Sequence, residues 1–314
     1  MTSDTRYHDF SQYLREVFPH FKVQKISINA GFTCPNRDGS KGWGGCTYCN
    51  NSSFSPSYTM QKGAVKLQLE KGIDFFQHKY PQMRYLAYFQ SYTNTYGEIQ
   101  QLISLYEEAL EVDGVEGIII GTRPDCVSNE LLAYLQELSQ RTFVYIEYGV
   151  ESTNEETLKH INRRHTYAES VEIIEKTARE GIPIGVHLIM GLPGEGEEDY
   201  LRHIERISTL PITSIKLHQL QILRGTILGE EFLRTPSQFK LFTLEEYLEL
   251  VLKIICKVRP SIYLDRFTSQ APPSMVLAPK WNTKNYIFTQ KVLQALNERD
   301  LWQGCQYSIS EVTN

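Results

Sequence analysis

Three cysteines near the start of the chain are the residues best suited to chemistry. Cys34, Cys46 and Cys49 fall within one run that is rich in glycine. In a reducing compartment, clustered cysteines bind metal more often than they form disulfides. A cubane iron-sulfur cluster held by only three thiolates leaves one iron without a protein ligand, and that iron can bind and reduce a small molecule. The three cysteines therefore predict a catalytic metal centre.

The spacing of the cysteines narrows the choice of metal. Cys34 stands alone at the start of the run, whereas Cys46 and Cys49 form a Cys-x-x-Cys pair that fixes the orientation of a bound cluster. Gly42, Gly44 and Gly45 give the long loop its freedom. A structural zinc site is the alternative, but it needs four ligands, and the sequence offers no second Cys-x-x-Cys or His pair at suitable spacing. Accidental clustering is a third interpretation.

The other three cysteines are scattered. Cys256 lies in an apolar pattern of helical period, which indicates a small buried hydrophobic residue. Cys126 and Cys305 have no such pattern, and it stays open whether either lies near the site.

Composition places the chain among ordinary globular proteins. The 314 residues are 41% hydrophobic and 22% charged, with a formal net charge of −5. That charge gives no electrostatic argument for nucleic acid, so any RNA contact must come from a local patch. No run of about 18 apolar residues is long enough to span a bilayer, and the polar start lacks the apolar stretch of a secretion signal. We therefore expect a cytoplasmic protein without a membrane partner.

Short β-branched or aromatic runs alternate with amphipathic stretches, a rhythm that indicates βα units. The predicted strands are 23–29, 84–89, 117–122, 143–149, 184–190 and 214–219. The predicted helices between and after them are 64–79, 99–111, 129–139, 154–161, 167–180 and 197–209. Parallel strands buried beneath helices follow from this order.

Six βα units are too few to close an eight-stranded barrel. The predicted fold is an α/β partial barrel, (βα)6, with the site at the carboxyl ends of its strands, where the cysteine run lies. We predict a core at residues 1–222 and a small α+β extension at 223–314 that caps it, with a helix at 244–257, a strand at 261–264 and a last helix at 283–298. The loop 265–273 either lines the substrate side or is a plain connector.

Two further segments carry a family resemblance. The fourth predicted strand ends in Glu147-Tyr-Gly-Val-Glu-Ser152, and residues 162–166 read Asn-Arg-Arg-His-Thr. With the cysteine run, these segments resemble the motifs of radical S-adenosylmethionine (SAM) enzymes of the YtqA/YhcC family, relatives of the catalytic subunit of the Elongator complex. The resemblance covers most of the chain. This family departs from the commoner spacing of three residues between the first two cysteines.

The resemblance implies two cofactors, a four-iron four-sulfur (4Fe-4S) cluster on Cys34, Cys46 and Cys49 and SAM at its open iron. One-electron reduction then cleaves SAM to methionine and a 5′-deoxyadenosyl radical, and a flavodoxin or ferredoxin is the expected reducing partner. The cofactors supply this chemistry, whereas the protein orients them and excludes water.

The resemblance also implies SAM contacts at the ends of several strands. Polar groups after the second strand would receive the amino group of SAM, and acidic and hydroxyl groups after the fourth strand would bind its ribose or amino acid portion. An arginine of the Asn-Arg-Arg-His-Thr run would hold its carboxylate. The glycine-rich run after the fifth strand and the end of the sixth would meet the adenine. The expected cofactor contacts are Tyr48, Gln90, Ser91, Glu147, Ser152, Arg164, Gly191, Leu220 and Gln221.

Several of these residues also have a plainly structural interpretation. An acidic group in an apolar parallel strand is costly unless it is partnered, which favours a functional role for Glu147. Its neighbour Glu151 is either solvated or the true ligand, and Arg164 is alternatively a solvated basic turn. On strand five, His187 is either a core residue or a substrate contact. On strand six, Lys216 and His218 either bind the substrate or face solvent. The expected substrate contacts are His187, Lys216, His218 and Arg266.

The Elongator resemblance implies tRNA as the partner, because that complex modifies the wobble uridine. The chain does not carry the Elongator acetyltransferase domain, so no acetyl-CoA mechanism is expected. The YtqA branch resembles enzymes that convert 5-carboxymethylaminomethyl-uridine towards 5-aminomethyl-uridine. A small-metabolite or protein substrate, or a non-catalytic metal-binding module, is the alternative. The candidate phosphate contacts are Arg37, Lys41, Arg163, Arg164, Arg266, Lys280 and Lys284, and the candidate base-stacking residues are Trp43 and Trp281.

Overall fold

A seven-stranded parallel sheet forms the centre of the molecule. The computed structural model describes residues 5–54, 59, 64–78 and 82–308. The strand order is β1-β2-β3-β4-β5-β6-β8, and the sheet curves into a half-barrel with helices around it. All six neighbouring strand pairs are parallel. The strands are β1 Val23–Ile28, β2 Arg84–Phe89, β3 Val115–Thr122, β4 Phe143–Glu151, β5 Ile184–Met190, β6 Ser214–Gln219, β7 Ile222–Leu223, β8 Tyr263–Leu264 and β9 Val276–Ala278.

Helices connect and cover these strands. They are α1 Phe10–Val17, α2 Val65–Gln77, α3 Ile99–Leu110, α4 Asn129–Ser139, α5 Glu155–His160, α6 Tyr167–Arg179, α7 Glu197–Ser208, α8 Ile227–Arg234, α9 Leu244–Lys257 and α10 Asn285–Glu298. Thr166 and Thr243 begin α6 and α9 with capping boxes, in which the threonine hydroxyl and a glutamate three residues later satisfy free backbone N–H groups. No helix in the described part of the chain is long and apolar enough to cross a membrane.

The half-barrel prediction is confirmed, with additions at both ends of the chain. The six predicted strands correspond to β1–β6. The predicted strand at 261–264 is shorter, and it joins the main sheet beside β6 as a seventh strand. Two helices, α1 and α8, and the antiparallel pair β7 and β9 were not predicted. The helix before β2 is predicted to end at Lys79, which lies outside the described residues. The division at 222/223 stays a prediction.

Helix α1 closes the barrel at the amino ends of its strands. Phe10 is buried against Tyr145, with a ring-centroid separation of 5.3 Å. The segment before α1 pairs with β8, since the backbone N–H of Leu264 donates to the carbonyl oxygen of His8 at 2.8 Å. With this end filled by aromatic side chains, the open end of the barrel lies at the carboxyl ends of the strands.

The last helix packs through an aromatic cluster. The fully buried ring of Phe288 on α10 lies 5.4 Å from Tyr247 on α9 and 6.4 Å from Trp281, centroid to centroid. The indole N–H of Trp281 donates to the carbonyl oxygen of Phe242 at 3.0 Å. Helix α10 therefore belongs to the main hydrophobic core.

We predict that Phe288→Ala lowers the free energy of unfolding by about 3–5 kcal/mol, because it opens a cavity inside this cluster. The matched control is Phe75→Ala on α2, whose ring is 68% exposed and whose removal should cost less than about 0.5 kcal/mol. Urea unfolding of both variants and the wild type measures the difference. Equal midpoint shifts for the two variants would contradict the buried position of α10.

Candidate active site

The cysteine run follows β1, as predicted, and folds into a loop tied to the turn after α5. The side-chain amide of Asn36 donates to the carbonyl oxygen of Asn162 at 2.5 Å, and that of Asn162 donates to the carbonyl oxygen of Gly45 at 2.8 Å. Gly44 and Gly45 both have φ near +80°, a backbone conformation that favours glycine. The loop is therefore held by the Asn-Arg-Arg-His-Thr segment that the sequence singled out.

The three thiols of this loop line one cavity of about 380 Å³. Cys46 Sγ lies 3.6 Å from both Asn36 Nδ2 and Arg163 Nη1, and Cys49 Sγ lies 3.8 Å from Asn51 Nδ2. Burial, and then the neighbouring Cys46, raise the pKa of the Cys49 thiol to about 11. Three thiolates in this position need a cationic centre among them.

Arg163 connects the cysteine loop to β4. Its guanidinium donates to the carbonyl oxygen of Gly149 at 2.6 Å and lies 3.5 Å from Glu151 Oε1. Its Nε is buried without a hydrogen-bond partner among the described residues. The predicted carboxylate ligand Arg164 instead has φ +62°, is exposed and donates to Asn162 Oδ1. The sequence motif was therefore correctly located, but its first arginine, not its second, lines the cavity.

The carboxyl ends of β2, β4, β5 and β6 complete the cavity wall. Gln90 at the end of β2 accepts a hydrogen bond from Ser27 on β1 at 2.9 Å, which orients its amide. The predicted site residues that line the cavity are Cys34, Cys46, Tyr48, Cys49, Gln90, Glu147, His187, His218, Leu220, Gln221 and Arg266. The predicted site residues outside this lining are Ser91, Ser152, Arg164, Gly191 and Lys216.

Ser152 and Gly191 directly follow β4 and β5 and lie outside the cavity lining. The Ser152 hydroxyl donates to Glu195 Oε1 at 2.5 Å, and the same carboxylate lies 3.0 Å from His203. Gly191 has φ +95°, and a Cβ added there would lie 3.2 Å from the Phe242 ring. Both residues thus position the loop after β5. Ser91 is likewise buried outside the cavity lining.

A buried ion cluster forms the cavity floor. Glu147 accepts hydrogen bonds from Lys216 Nζ at 2.6 Å, Lys25 Nζ at 3.2 Å and Tyr88 OH at 2.5 Å. Both lysines also contact Asp265, at 3.0 and 3.1 Å. Lys25 was not among the predicted site residues, and Lys216 neutralises buried acids in this structure. Two acids and two lysines leave the floor with no net charge.

The strands beside Glu147 make room for this ion cluster. Its register partners on β3 and β5 are Gly121 and Gly185. A Cβ added at Gly185 would lie 3.2 Å from Glu147 Cγ. A larger residue there would push the carboxylate away from the lysines.

The cluster and its surroundings set the protonation states of the site. Burial alone would raise the pKa of Glu147, but Lys216 and Lys25 hold it well below its usual range. Burial would also raise the pKa of Asp265, but Lys216 and Lys25 lower it to about 2. Burial, and then Lys216, lower the pKa of His187, whose Nε2 lies 2.9 Å from Glu147. His187 is therefore neutral at pH 7 and acts as a partner of Glu147.

The loop 265–273, which follows β8, lines the cavity. It is therefore more than a plain connector. The Ser269 N–H donates to Gln219 Oε1 at 2.5 Å, and the Ala271 N–H donates to Gln221 Oε1 at 3.1 Å. His218 Nδ1 lies 3.2 Å from Ser269 Oγ. The loop contributes Arg266, Ser269, Gln270 and Ala271 to the lining. Gln219 was missed by sequence reasoning, although its alternation with Gln221 at the end of β6 was a usable signal.

The remaining cysteines lie away from this cavity. Cys256 is buried on α9, as predicted. Cys305 is adjacent, since Gln306 donates its N–H to the carbonyl oxygen of Cys256. Cys126 lies beside Asp125, and burial raises the pKa of its thiol to about 12. None of the three lines the cavity.

Comparison with known proteins agrees with this geometry. The sequence model of the Radical SAM superfamily matches residues 31–207, and that of the Radical_SAM C-terminal domain matches residues 212–298. The chain belongs to the radical SAM superfamily. It is 34% identical to protein YhcC of Escherichia coli (strain K12) over 278 residues, 88% of each chain. It is 31% identical to YtqA of Bacillus subtilis (strain 168) over 302 residues, 96% of this chain and 93% of that one.

The fold of this radical SAM enzyme is similar to a solved archaeal structure, Elp3 of Methanocaldococcus infernus with its N-terminus deleted. The TM-score is 0.69 at 17% sequence identity, and the match covers 90% of this chain. It covers 64% of the Elp3 chain, so this chain spans less than two thirds of that structure.

Radical SAM enzymes use a 4Fe-4S cluster and SAM, and the residues of this cavity fit both. No three His, Cys, Asp or Glu side chains within 5–54, 59, 64–78 and 82–308 are arranged for one metal ion. A cubane cluster spreads its thiolates over three irons, so convergence on one point is not required. The unpartnered Nε of Arg163 beside Cys46 is a donor for an anionic group there. When bound, the two cofactors together supply a strongly hydrogen-abstracting carbon radical.

We predict that Asp265→Asn makes the stability of the protein less sensitive to acid. The pKa of Asp265 is about 2 in the folded state and about 4 when unfolded. Its ionised form thus adds stability that is fully present above about pH 4 and is lost as the pH falls towards 2. At pH 7 the variant should lose roughly 3 kcal/mol, because the lysines lose a buried partner.

The measurement is the urea midpoint between pH 2 and 7, with the exposed acid Asp74→Asn as control. A wild-type slope below pH 4 that is unchanged in Asp265→Asn would contradict the role of this ion cluster.

Proposed function

We propose that this radical SAM enzyme modifies the wobble uridine of tRNA, converting 5-carboxymethylaminomethyl-uridine towards 5-aminomethyl-uridine. The observation that carries the proposal is that the Elongator-like segments are those that build the site. Residues 162–166 hold the cysteine loop through Asn162 and Arg163, and the strand end at Glu147–Ser152 forms the cavity floor and its support. The fold likeness to archaeal Elp3 over 90% of the chain is consistent with it.

The conversion is a two-electron oxidation of the carboxymethyl group on nitrogen. In its balanced form, the secondary amine and one water give the primary amine and glyoxylate, releasing two electrons and two protons. Reductive cleavage of SAM to methionine and 5′-deoxyadenosine takes up both electrons and one proton. A flavodoxin or ferredoxin is proposed as the donor of the electron that first reduces the cluster; the substrate supplies both electrons of each later turnover.

The cysteine loop carries groups suited to an extruded base. Trp43 on the cysteine loop is 75% exposed, and a stacked base contributes about 1–3 kcal/mol. Gly42, its chain neighbour, lies beside the Arg164 side chain, which is exposed. Single-stranded anticodon loops are recognised by such stacking and by phosphate contacts, and a base acted on by an enzyme must leave its stack.

The other candidate RNA contacts differ in availability. Trp281 is packed against Phe288 with its N–H bonded, and Arg163 is buried beside Cys46. Lys41 is already paired with Asp125 at 2.5 Å. Lys280 and Lys284 are exposed and stay candidates. With a net charge of −5, the proposed RNA footprint is small.

We predict that SAM cleavage by the reconstituted, dithionite-reduced protein rises when bulk tRNA from a strain lacking this gene is added. The wobble nucleoside should change from its carboxymethylaminomethyl form to the aminomethyl form. Liquid chromatography with mass spectrometry measures 5′-deoxyadenosine and the nucleoside in one reaction.

Two alanine variants provide the controls. Cys46→Ala should abolish cleavage, because Cys46 is a proposed cluster ligand in the cavity, whereas Cys256→Ala on α9 should retain it. Cleavage indifferent to tRNA, with no nucleoside change, would leave a radical SAM enzyme with another substrate and would contradict the proposal.

A further inference from the structure

Four arginines line the cavity, and two lysines contact Glu147 at its floor. These six cations differ in whether their side chains have a hydrogen-bond or ion-pair partner. Arg123 makes two hydrogen bonds to Asp125, both at 2.9 Å. Arg37 donates to the carbonyl oxygen of Cys49 at 2.8 Å, and Arg163 donates to that of Gly149 at 2.6 Å. Lys25 and Lys216 are neutralised by the two acids of the floor. Each of these five cations is already bonded within the described residues.

Arg266 is the exception. Its side chain lines the cavity and makes no hydrogen bond or ion pair with any residue that the structure describes, and its Nε is buried without a partner. A buried guanidinium N–H without an acceptor is costly, so this position is stable only when an acceptor can be supplied. Its own chain neighbour Asp265 points to the lysines and does not pair with it.

The described surroundings of Arg266 fix its backbone but give its guanidinium no hydrogen-bond acceptor. Its carbonyl oxygen accepts from the N–H of Leu217 at 2.9 Å, and the loop that follows is fixed to β6 through Gln219 and Ser269. The nearby His218 is neutral, because burial and then Arg266 lower its pKa well below the usual range. The charge of the guanidinium is therefore not offset by any acid that the structure describes and is unpaired there, which favours an anionic ligand.

We propose that Arg266 binds the carboxylate of the substrate, so that the enzyme selects nucleosides whose side chain carries a carboxylate. This assignment rests on the proposed function of the same cavity. The planar fork of a guanidinium matches a carboxylate with two parallel hydrogen bonds. SAM also carries a carboxylate, but the guanidinium groups of Arg37 and Arg163 contact the cysteine loop. Arg266 instead follows β8, and its carbonyl oxygen is bonded to β6.

The kinetic test uses Arg266→Met and two forms of one tRNA, with the wobble carboxylate either free or converted to its amide. The variant should lower kcat/KM for the free carboxylate by about 30- to 100-fold, as expected for a lost charge-assisted pair. It should change kcat/KM for the amide by less than about threefold. Arg266→Lys should recover part of the loss. The matched control is Arg202→Met on the exposed face of α7, which should behave as wild type.

Two results would overturn the assignment. An equal loss for both tRNA forms would make Arg266 a phosphate contact or a structural residue. Weaker binding of SAM by Arg266→Met, or slower SAM cleavage without substrate, would assign the guanidinium to the cofactor.

A binding measurement separates this assignment from the proposed function. Saturation-transfer NMR on the holoenzyme with SAM uses N-ethylglycine as the carboxylate probe and ethylamine as its carboxylate-free match. We expect N-ethylglycine to bind the wild type, to lose its signal in Arg266→Met, and to exceed ethylamine. If tRNA is not modified but this pattern holds, the carboxylate site stands and the wobble proposal falls. If N-ethylglycine fails to bind the wild type, or binds both proteins equally, the site is overturned.

Discussion

Charge balance inside the barrel is the constraint on which the site depends. Glu147 is stable at the centre of a buried sheet only with cations beside it, and Lys25 and Lys216 supply them. These residues and Asp265 come from β1, β4, β6 and the segment after β8, so the ion cluster joins both edges of the open sheet. The lining of the cavity above this neutral floor includes both the three thiols and the guanidinium of Arg266, which is unpaired among the described residues.

Much of the fold was predictable because short β-branched or aromatic runs alternate with amphipathic stretches along the sequence. The bounds of β1–β6 agree with the predicted strands to within about two residues at each end. The two-residue strand β8 has no such run, and its place in the sheet comes from pairing with β6 and the segment before α1. Helix α1 was missed although Asp9 caps it and its apolar residues recur at helical spacing, because eight residues form a weak periodic signal.

The candidate site was predictable where a residue's position after a strand decides its role. The cysteines after β1 and Gln90 after β2 follow from that rule. Other choices depend on tertiary contacts. Arg163 and Arg164 are neighbours of one type, and the positive φ of Arg164 turns it outward. Lys25 was missed because its partners lie more than a hundred residues away in sequence and meet it only when the barrel curves. No pattern in a single sequence predicts which distant residues meet when the barrel curves.

We expect Cys34, Cys46 and Cys49 to hold a cluster whose fourth iron is left open for SAM. Electron-nuclear double resonance on the reduced, reconstituted protein tests it most directly, with SAM labelled by ¹⁷O in its carboxylate and ¹⁵N in its amino group. We predict hyperfine coupling of both labels to the cluster signal. A cluster signal without coupling from either label, or a protein that binds zinc and forms no cluster, would contradict it.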